Sequence, residues 1–479
     1  MKDVAVIGAG ICGAAVAYML AGYDLDVCVI EAKDDVAKGT TRANSAIIHA
    51  GYAPEPGTLM AESNVYGNTL AGEICERLGV HFKRIGSLVI ALCEDDLKTL
   101  ETLYERGVKN GVPDIKLLSA SEVHAMEPNL SGEVCGALLA PSAGIVNPWQ
   151  YCIAMCNFAY KNGAEFLLNS PVTGIDKIEG GYRIHAGSRT VDARYIVNAA
   201  GLHCDEVNSL VGGSEFTVKA VRGEYYLLDK SEGERVKHVI FQCPSKVGKG
   251  VLVAPTVHGN LIVGPNAEDI IDRDDVATTL SGQDAVRALA VKSCPDISFR
   301  DNIRNFAGNR SYIESHDFVV EESKTAKGFI NMAGIKSPGL SSAPALAKRV
   351  VKLLEGAGLA LKERAAVNEY KYPVLLRDLS GKEQEERIKE NPLFARVICR
   401  CETITEGDIV TALRDGFTPP TVSAVKRRCN AGMGRCQGGF CSIRVHDIIA
   451  KERGIAPEEV TLDGGGSYIV TGDTKEVKE

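Results

Sequence analysis

The sequence predicts an α/β protein in three parts: a Rossmann-like dinucleotide-binding unit, an inserted α+β unit with an antiparallel sheet, and a small C-terminal unit organised by cysteines. Three observations carry this. A βαβ pattern with a glycine fingerprint opens the chain, and runs of β-branched and aromatic residues fill its middle. Five cysteines then crowd between Cys399 and Cys441.

The opening reads Val4-Ala-Val-Ile-Gly8-Ala-Gly10-Ile-Cys-Gly13. A short apolar strand must turn sharply into a helix over Ile11–Leu20. Gly8 permits the turn, Gly10 lets the backbone approach a pyrophosphate, and Gly13 allows helix and strand to pack closely. The phosphates then meet the free N–H groups of the helix start. A second apolar run, Leu25 to Ile30, ends at Glu31, placed to accept hydrogen bonds from a ribose. A bare glycine pattern says little; one with strand, helix, second strand and acid in order points to a dinucleotide.

At 479 residues the chain needs two or three domains. Its 45% hydrophobic and 24% charged residues are those of an ordinary globular protein. A net charge of −8 argues against nucleic acid as a partner, which requires an excess of Lys and Arg. No apolar run is long enough to span a bilayer, and the N-terminus lacks the layout of a signal peptide. The expectation is a cytoplasmic protein, or one held at a membrane through a partner subunit.

Fifteen cysteines are many for a chain without expected disulfides. Ten lie between Cys12 and Cys294, mostly in apolar stretches, and read as small buried side chains. The others form Cys399-Arg-Cys401, Cys429 and Cys436-Gln-Gly-Gly-Phe-Cys441. Four thiolates around a glycine-rich loop suit an iron–sulfur core, the glycines leaving backbone N–H groups free for its sulfurs. On spacing alone, tetrahedral zinc remains the alternative.

Further segments carry a resemblance. Gly39-Thr40-Thr41-Arg-Ala-Asn44-Ser45-Ala-Ile-Ile-His49-Ala-Gly51, Tyr195-Ile-Val-Asn-Ala-Ala200-Gly201 and Gly328-Phe-Ile-Asn-Met-Ala-Gly334-Ile335-Lys336-Ser337-Pro-Gly339-Leu340 resemble the flavin-contacting segments of the glycine-oxidase-like FAD oxidoreductases. That superfamily includes glycerol-3-phosphate dehydrogenases and L-2-hydroxyglutarate oxidases. The stretch 396–450 is similar to bacterioferritin-associated-ferredoxin-like [2Fe-2S] domains, closest to the version fused to the large subunits of anaerobic glycerol-3-phosphate dehydrogenases. The resemblance implies FAD held by Gly8, Gly10, Gly13, Glu31, Thr40, Thr41, Asn44, Ser45, Val172, Ala200, Gly201, Gly334, Ile335, Lys336, Ser337, Gly339 and Leu340. It implies a cluster held by Cys399, Cys401, Cys436 and Cys441, with Cys429 a spare thiol or an alternative ligand.

The expected division is a discontinuous FAD-binding domain (1–90, 150–205 and 325–370) and a substrate domain (91–149 and 206–324). A linker at 371–395, a [2Fe-2S] domain at 396–450 and a tail at 451–479, loosely structured after Gly464, follow. A helix is expected from about Ala343 to Leu354. No second fingerprint remains for a nicotinamide.

The implied activity is oxidation of a small anionic secondary alcohol, sn-glycerol 3-phosphate to dihydroxyacetone phosphate. Electrons would pass through the cluster to a partner flavoprotein or quinone-linked subunit. An L-2-hydroxy acid such as 2-hydroxyglutarate is the alternative substrate, and an electron-transfer or assembly subunit the alternative class. His49 is the candidate base. Arg310 is the candidate anion ligand, its planar fork suited to phosphate or carboxylate. Lys249 is a candidate for holding phosphate or polarising the hydroxyl, Lys336 for stabilising negative charge at the flavin, and Arg222 and His258 are further candidates. A structural histidine or a surface ion pair is the competing reading for each.

Overall fold

The computed structural model describes residues 1–244 and 250–472, which fall into two compact units. The first comprises 1–32 and 36–369; the second comprises 33–35 and the chain from 370 onward.

The first unit contains two large sheets. In one, strand Lys2–Ile7 lies between two parallel neighbours, Val27–Ile30 and Arg189–Asn198. Glu165–Leu167 extends the sheet beyond Val27–Ile30, and Phe329–Ala333 pairs in parallel with Arg189–Asn198. An antiparallel edge strand, Val319–Glu322, and a hairpin, Val172–Ile178 with Gly181–Ala186, complete it. The central strands are buried on both faces, which explains why they read as unbroken apolar runs. Helices Ile11–Leu20, Leu59–Leu78, Pro148–Lys161 and Gly339–Gly356 pack on one another. Gly67 lets two of them approach, since a Cβ there would stand 2.2 Å from the carbonyl oxygen of Ser341.

The other sheet has nine strands and is antiparallel except where Val239–Gln242 runs parallel to Ser87–Ala91. Its long pair, Lys219–Leu228 and Asn302–Tyr312, is in register from Lys219 opposite Tyr312 to Leu227 opposite Arg304, and shifts by one residue before Leu228 meets Asn302. An apolar core joins this sheet to helix Leu280–Ser293. A small three-stranded sheet ties Ile47–Ile48 to Gly144–Val146 and Phe82–Arg84. The expected parts interleave more finely than the boundaries at 90 and 149: Ser87–Ala91 belongs to the large antiparallel sheet, and Gly144–Val146 bonds to the segment leading into His49.

In the second unit, helices Glu406–Arg414, Val422–Cys429 and Ser442–Arg453 surround a core that includes Leu375, Ile404, Ile409, Val425, Val445 and Val460. Thr405 and Asp408 cap the first helix reciprocally, and the Asp408 carboxylate also accepts the N–H of Leu376. The stretch expected to be a linker is built into this body. Tyr372 is buried and donates to the carbonyl of Arg428 (3.0 Å), and Phe394 packs where any side chain at Gly407 would stand. Its polar composition misleads because only a few apolar anchors face inward. The stretch after 450 is ordered as far as it is described: Val460 is fully buried, and Thr461 bridges to Thr421 and Tyr468.

Asp35 is wholly buried in the second unit between two guanidinium groups. Arg428 donates at 2.8 and 2.9 Å and Arg427 at 2.7 Å, while Arg427 also reaches Asp463.

Candidate functional site

Strand Lys2–Ile7 ends at Gly8, whose φ of +100° and carbonyl neighbour tolerate no side chain; a Cβ would lie 2.5 Å from Ala199 O. At Gly13 a Cβ would meet Gly8 O at 1.9 Å. Helix Ile11–Leu20 starts at Gly10 with no side-chain cap and no acid in its first turn, so its positive end is open to an anion. The Glu31 carboxylate accepts the N–H of Ala9 at 2.7 Å, which sets the acid against this turn. The glycine cradle, open helix start and adjacent carboxylate fit a dinucleotide such as FAD.

The loop 39–51 is pinned by its own polar residues. Thr41 Oγ1 accepts the N–H of Ile11, Thr40 Oγ1 donates to Asn309 O, and Asn44 bonds to Thr41 O and Ala46 N. Ser45 Oγ lies 3.2 Å from the Tyr225 hydroxyl. Val172 begins the edge hairpin against the apolar core. Ala200 and Gly201 turn out of strand Arg189–Asn198, Gly201 with a φ of +62° and no neighbour in its Cβ direction. Gly334, Ile335, Lys336, Ser337, Gly339 and Leu340 form the turn into helix Gly339–Gly356. That helix begins four residues before the expected Ala343 and runs through Pro344.

His49 is fixed from three sides. Its N–H donates to Ser341 Oγ (2.7 Å), its carbonyl accepts from Asn64 and Asn68, and its ring stacks on Phe241 at 5.7 Å. Nε2 lies 3.3 Å from Ser337 Oγ, so the candidate base meets the last of the flavin-type segments. Lys336 holds its ammonium over the Tyr312 ring, and burial lowers its pKa against an opposing pull from Asp317.

Arg310 projects from the long antiparallel pair. Its guanidinium lies across Gly223, where a Cβ would sit 2.1 Å from Nη2, and it donates to Asn266 O at 2.8 Å. Gly308, two residues earlier and on the same strand face, abuts Ala43 O of the pinned loop. Tyr225 and Phe306 stack at 4.8 Å in the same cross-strand ladder. The structure thus gathers His49, Ser45, Tyr225 and the Arg310 face about one loop.

Two further candidates have polar partners of their own. Arg222 is buried in ion pairs with Glu268 (2.8 Å) and Asp275 (2.6 Å), a structural role. His258 meets Asn147 and the edge of His81. Lys249 lies outside the described residues. Asn64, Asn68, Ser341, Phe241 and Tyr225 escape the sequence reading because nothing local marks them; they act only through contacts made by the fold.

In the second unit, the four thiols come as two pairs. Cys401 and Cys436 are 3.6 Å apart, and Cys399 is hydrogen-bonded to Cys441. Backbone N–H groups point at sulfur: Gly432 at Cys399, Cys436 at Cys401, and Phe440 and Gly438 at Cys436. Gly434 passes Cys401 so closely that a Cβ would be 2.3 Å from its Cβ. Among the described residues, no three His, Cys, Asp or Glu side chains gather around a single-ion position. Two thiol pairs with N–H donors fit a two-iron core, which takes two thiolates at each iron, better than a lone zinc. Cys429 is buried, donates to Val425 O within its helix, and has its thiol pKa pushed up by burial to about 12.

Residues 3–353 match the FAD dependent oxidoreductase (DAO) family, and residues 397–451 match the BFD-like [2Fe-2S] binding domain. A glycerol 3-phosphate dehydrogenase of Caloramator mitchellensis is 48% identical over 476 residues, 99% of both chains. The human mitochondrial L-2-hydroxyglutarate dehydrogenase is 30% identical over 55% of this chain and 60% of its own. A solved structure of dithionite-reduced L-α-glycerophosphate oxidase from Mycoplasma pneumoniae, with FAD bound, superposes with a TM-score of 0.75 at 29% identity. It covers 78% of this chain and 99% of that one. The glycine cradle, the assembled flavin segments and the paired thiols belong to a member of the DAO family of FAD-dependent oxidoreductases that carries a C-terminal [2Fe-2S] domain.

Proposed function

We propose that the protein oxidises sn-glycerol 3-phosphate to dihydroxyacetone phosphate and passes the electrons through a cluster on Cys399, Cys401, Cys436 and Cys441 to a separate one-electron acceptor. The observation that carries this reading is the 48% identity, over 99% of both chains, to a protein named for that activity. The L-2-hydroxyglutarate dehydrogenases match at 28–30% identity over 54–66% of this chain, which ranks them behind.

Removing hydrogen from a secondary alcohol requires a base at the hydroxyl and an acceptor at the carbon. Bound FAD supplies the two-electron acceptor, and the cluster carries electrons onward singly. The chain's own part is placement. His49 takes the hydroxyl proton, its ring oriented by Phe241 and Ser337 and its backbone held by Ser341, Asn64 and Asn68. Arg310 binds the phosphate, Gly223 leaving room for its fork. Among the described residues no helix is long and apolar enough to cross a membrane.

The test is an anaerobic titration of the purified protein, followed at the flavin and cluster bands. Glycerol 3-phosphate should bleach both. Bleaching by L-2-hydroxyglutarate alone would move the substrate to the hydroxy acids, and bleaching by neither would overturn both substrates and leave the fold and cofactors standing.

A further inference from the structure

The cysteine loop of the second unit has an exposed edge with an unusual composition. Phe440, adjacent to Cys441, is 88% exposed, and Ile443, two residues beyond that cysteine, is 58% exposed. Cys401 itself is exposed, as are Arg400 between Cys399 and Cys401, Arg435 before Cys436, and Arg444 in the first turn of helix Ser442–Arg453. Each of these residues lies within three positions of one of the four thiols, and adjoining Cα atoms are only about 3.8 Å apart, so convergence of the thiols draws them into one rim.

The sign of this rim contrasts with the acidic chain. From Gly416 to His446 there is no Asp or Glu, but there are Lys426, Arg427, Arg428, Arg435 and Arg444. Arg427 and Arg428 are spent inward on Asp35. Of the nearby carboxylates, Glu402 pairs with Arg377 and Glu406 with Arg396, while Asp447 stays exposed three residues from Arg444. The exposed side chains beside the cysteines are therefore mainly basic, Arg400 and Arg444 among them, with the exposed aromatic ring of Phe440 next to Cys441.

We propose that this rim is the docking surface for a one-electron carrier protein with an acidic face. The inference rests on the proposed function only in taking the cluster as the exit for electrons. Aromatic and arginine side chains are the groups that anchor protein interfaces, and arginine forks pair with carboxylates. Cys401 at the surface places the electron's exit inside the contact. Each encounter moves one electron: the enzyme is oxidised by one, the carrier is reduced by one, and no bond is made or broken. Three arginines around two apolar residues fall short of the four to eight basic residues, roughly, that mark an anionic-lipid site.

The test uses the holoenzyme and two probes, an acidic flavodoxin and the basic cytochrome c. Arg444→Glu and Arg400→Glu/Arg444→Glu reverse the rim charge, and Phe440→Ser removes the tip. Visible cluster absorbance verifies that each variant is loaded. Binding of oxidised enzyme to oxidised flavodoxin is measured by interferometry at low and high salt. Electron transfer is then measured by stopped flow from enzyme reduced with dithionite, so the outcome is independent of the substrate.

Charge reversal should weaken flavodoxin binding and slow its reduction by about tenfold or more, flatten the salt dependence, and speed the reduction of cytochrome c. Unchanged affinity and salt dependence in both charge variants would overturn the proposal. So would loss of binding to phosphatidylglycerol vesicles with flavodoxin binding intact, which would assign the rim to a membrane. Failure of glycerol 3-phosphate to bleach the flavin would sink the substrate assignment alone.

Discussion

His49 has almost every degree of freedom removed before any substrate arrives, and that restraint is what a base needs if proton transfer is to occur in one geometry. His49→Ala should slow anaerobic flavin reduction by roughly 10²–10⁴-fold with FAD content unchanged; an unaltered rate would dismiss it as the base. The residue was legible because it stands in a motif, Asn44 to Gly51, whose side chains have local duties such as the Asn44 turn. Its supports were not. Asn64 and Asn68 sit on a helix whose face becomes polar only where the His49 carbonyl arrives, and Phe241 comes from a strand nearly two hundred residues away. The same limit misjudged Arg222, since Glu268 and Asp275 come from another strand and loop.

At the scale of elements, the first strand–turn–helix leaves least freedom. Gly13→Ala puts a methyl 1.9 Å from a backbone oxygen, which no rotamer can relieve. Overpacking of this kind costs about 1–3 kcal/mol. The variant should therefore bind FAD roughly ten- to a hundredfold more weakly, measured as the flavin-to-protein ratio after dialysis; full occupancy would refute the close-packing argument. Such elements are readable because steric demands appear directly as glycines. Helix Gly339–Gly356 is less readable at its start, since Gly339 and Pro344 are helix breakers by propensity and the fold overrides them. The stretch 371–395 misleads for the opposite reason: helix Gly381–Glu390 buries none of its residues, and the anchors Tyr372, Leu375, Leu376 and Phe394 are widely spaced.

At the scale of the whole molecule, the division into units is not the division of the sequence, because Lys33–Asp35 belongs with the chain from Tyr370 onward. Burial alone would raise the Asp35 pKa, but Arg428 and Arg427 pull it below the usual carboxylate value to about 2. A depressed pKa means the stabilisation is present above the ordinary carboxylate pKa and is lost as pH falls from about 4 towards about 2. Asp35→Asn leaves buried Arg428 without a carboxylate and Arg427 with Asp463 alone, at a cost of about 3–5 kcal/mol. In urea, the visible cluster bands should then vanish at lower concentration. Fluorescence of Trp149, the single tryptophan and a residue of the first unit, should keep its midpoint. By circular dichroism, the gap between variant and parent should close below about pH 4. No pattern in the sequence announces this pair, because its members stand almost four hundred positions apart. Residues 370–472 are consequently no free-standing cassette. A graft that moved only that stretch onto another oxidoreductase would carry Arg428 away from the carboxylate that neutralises it.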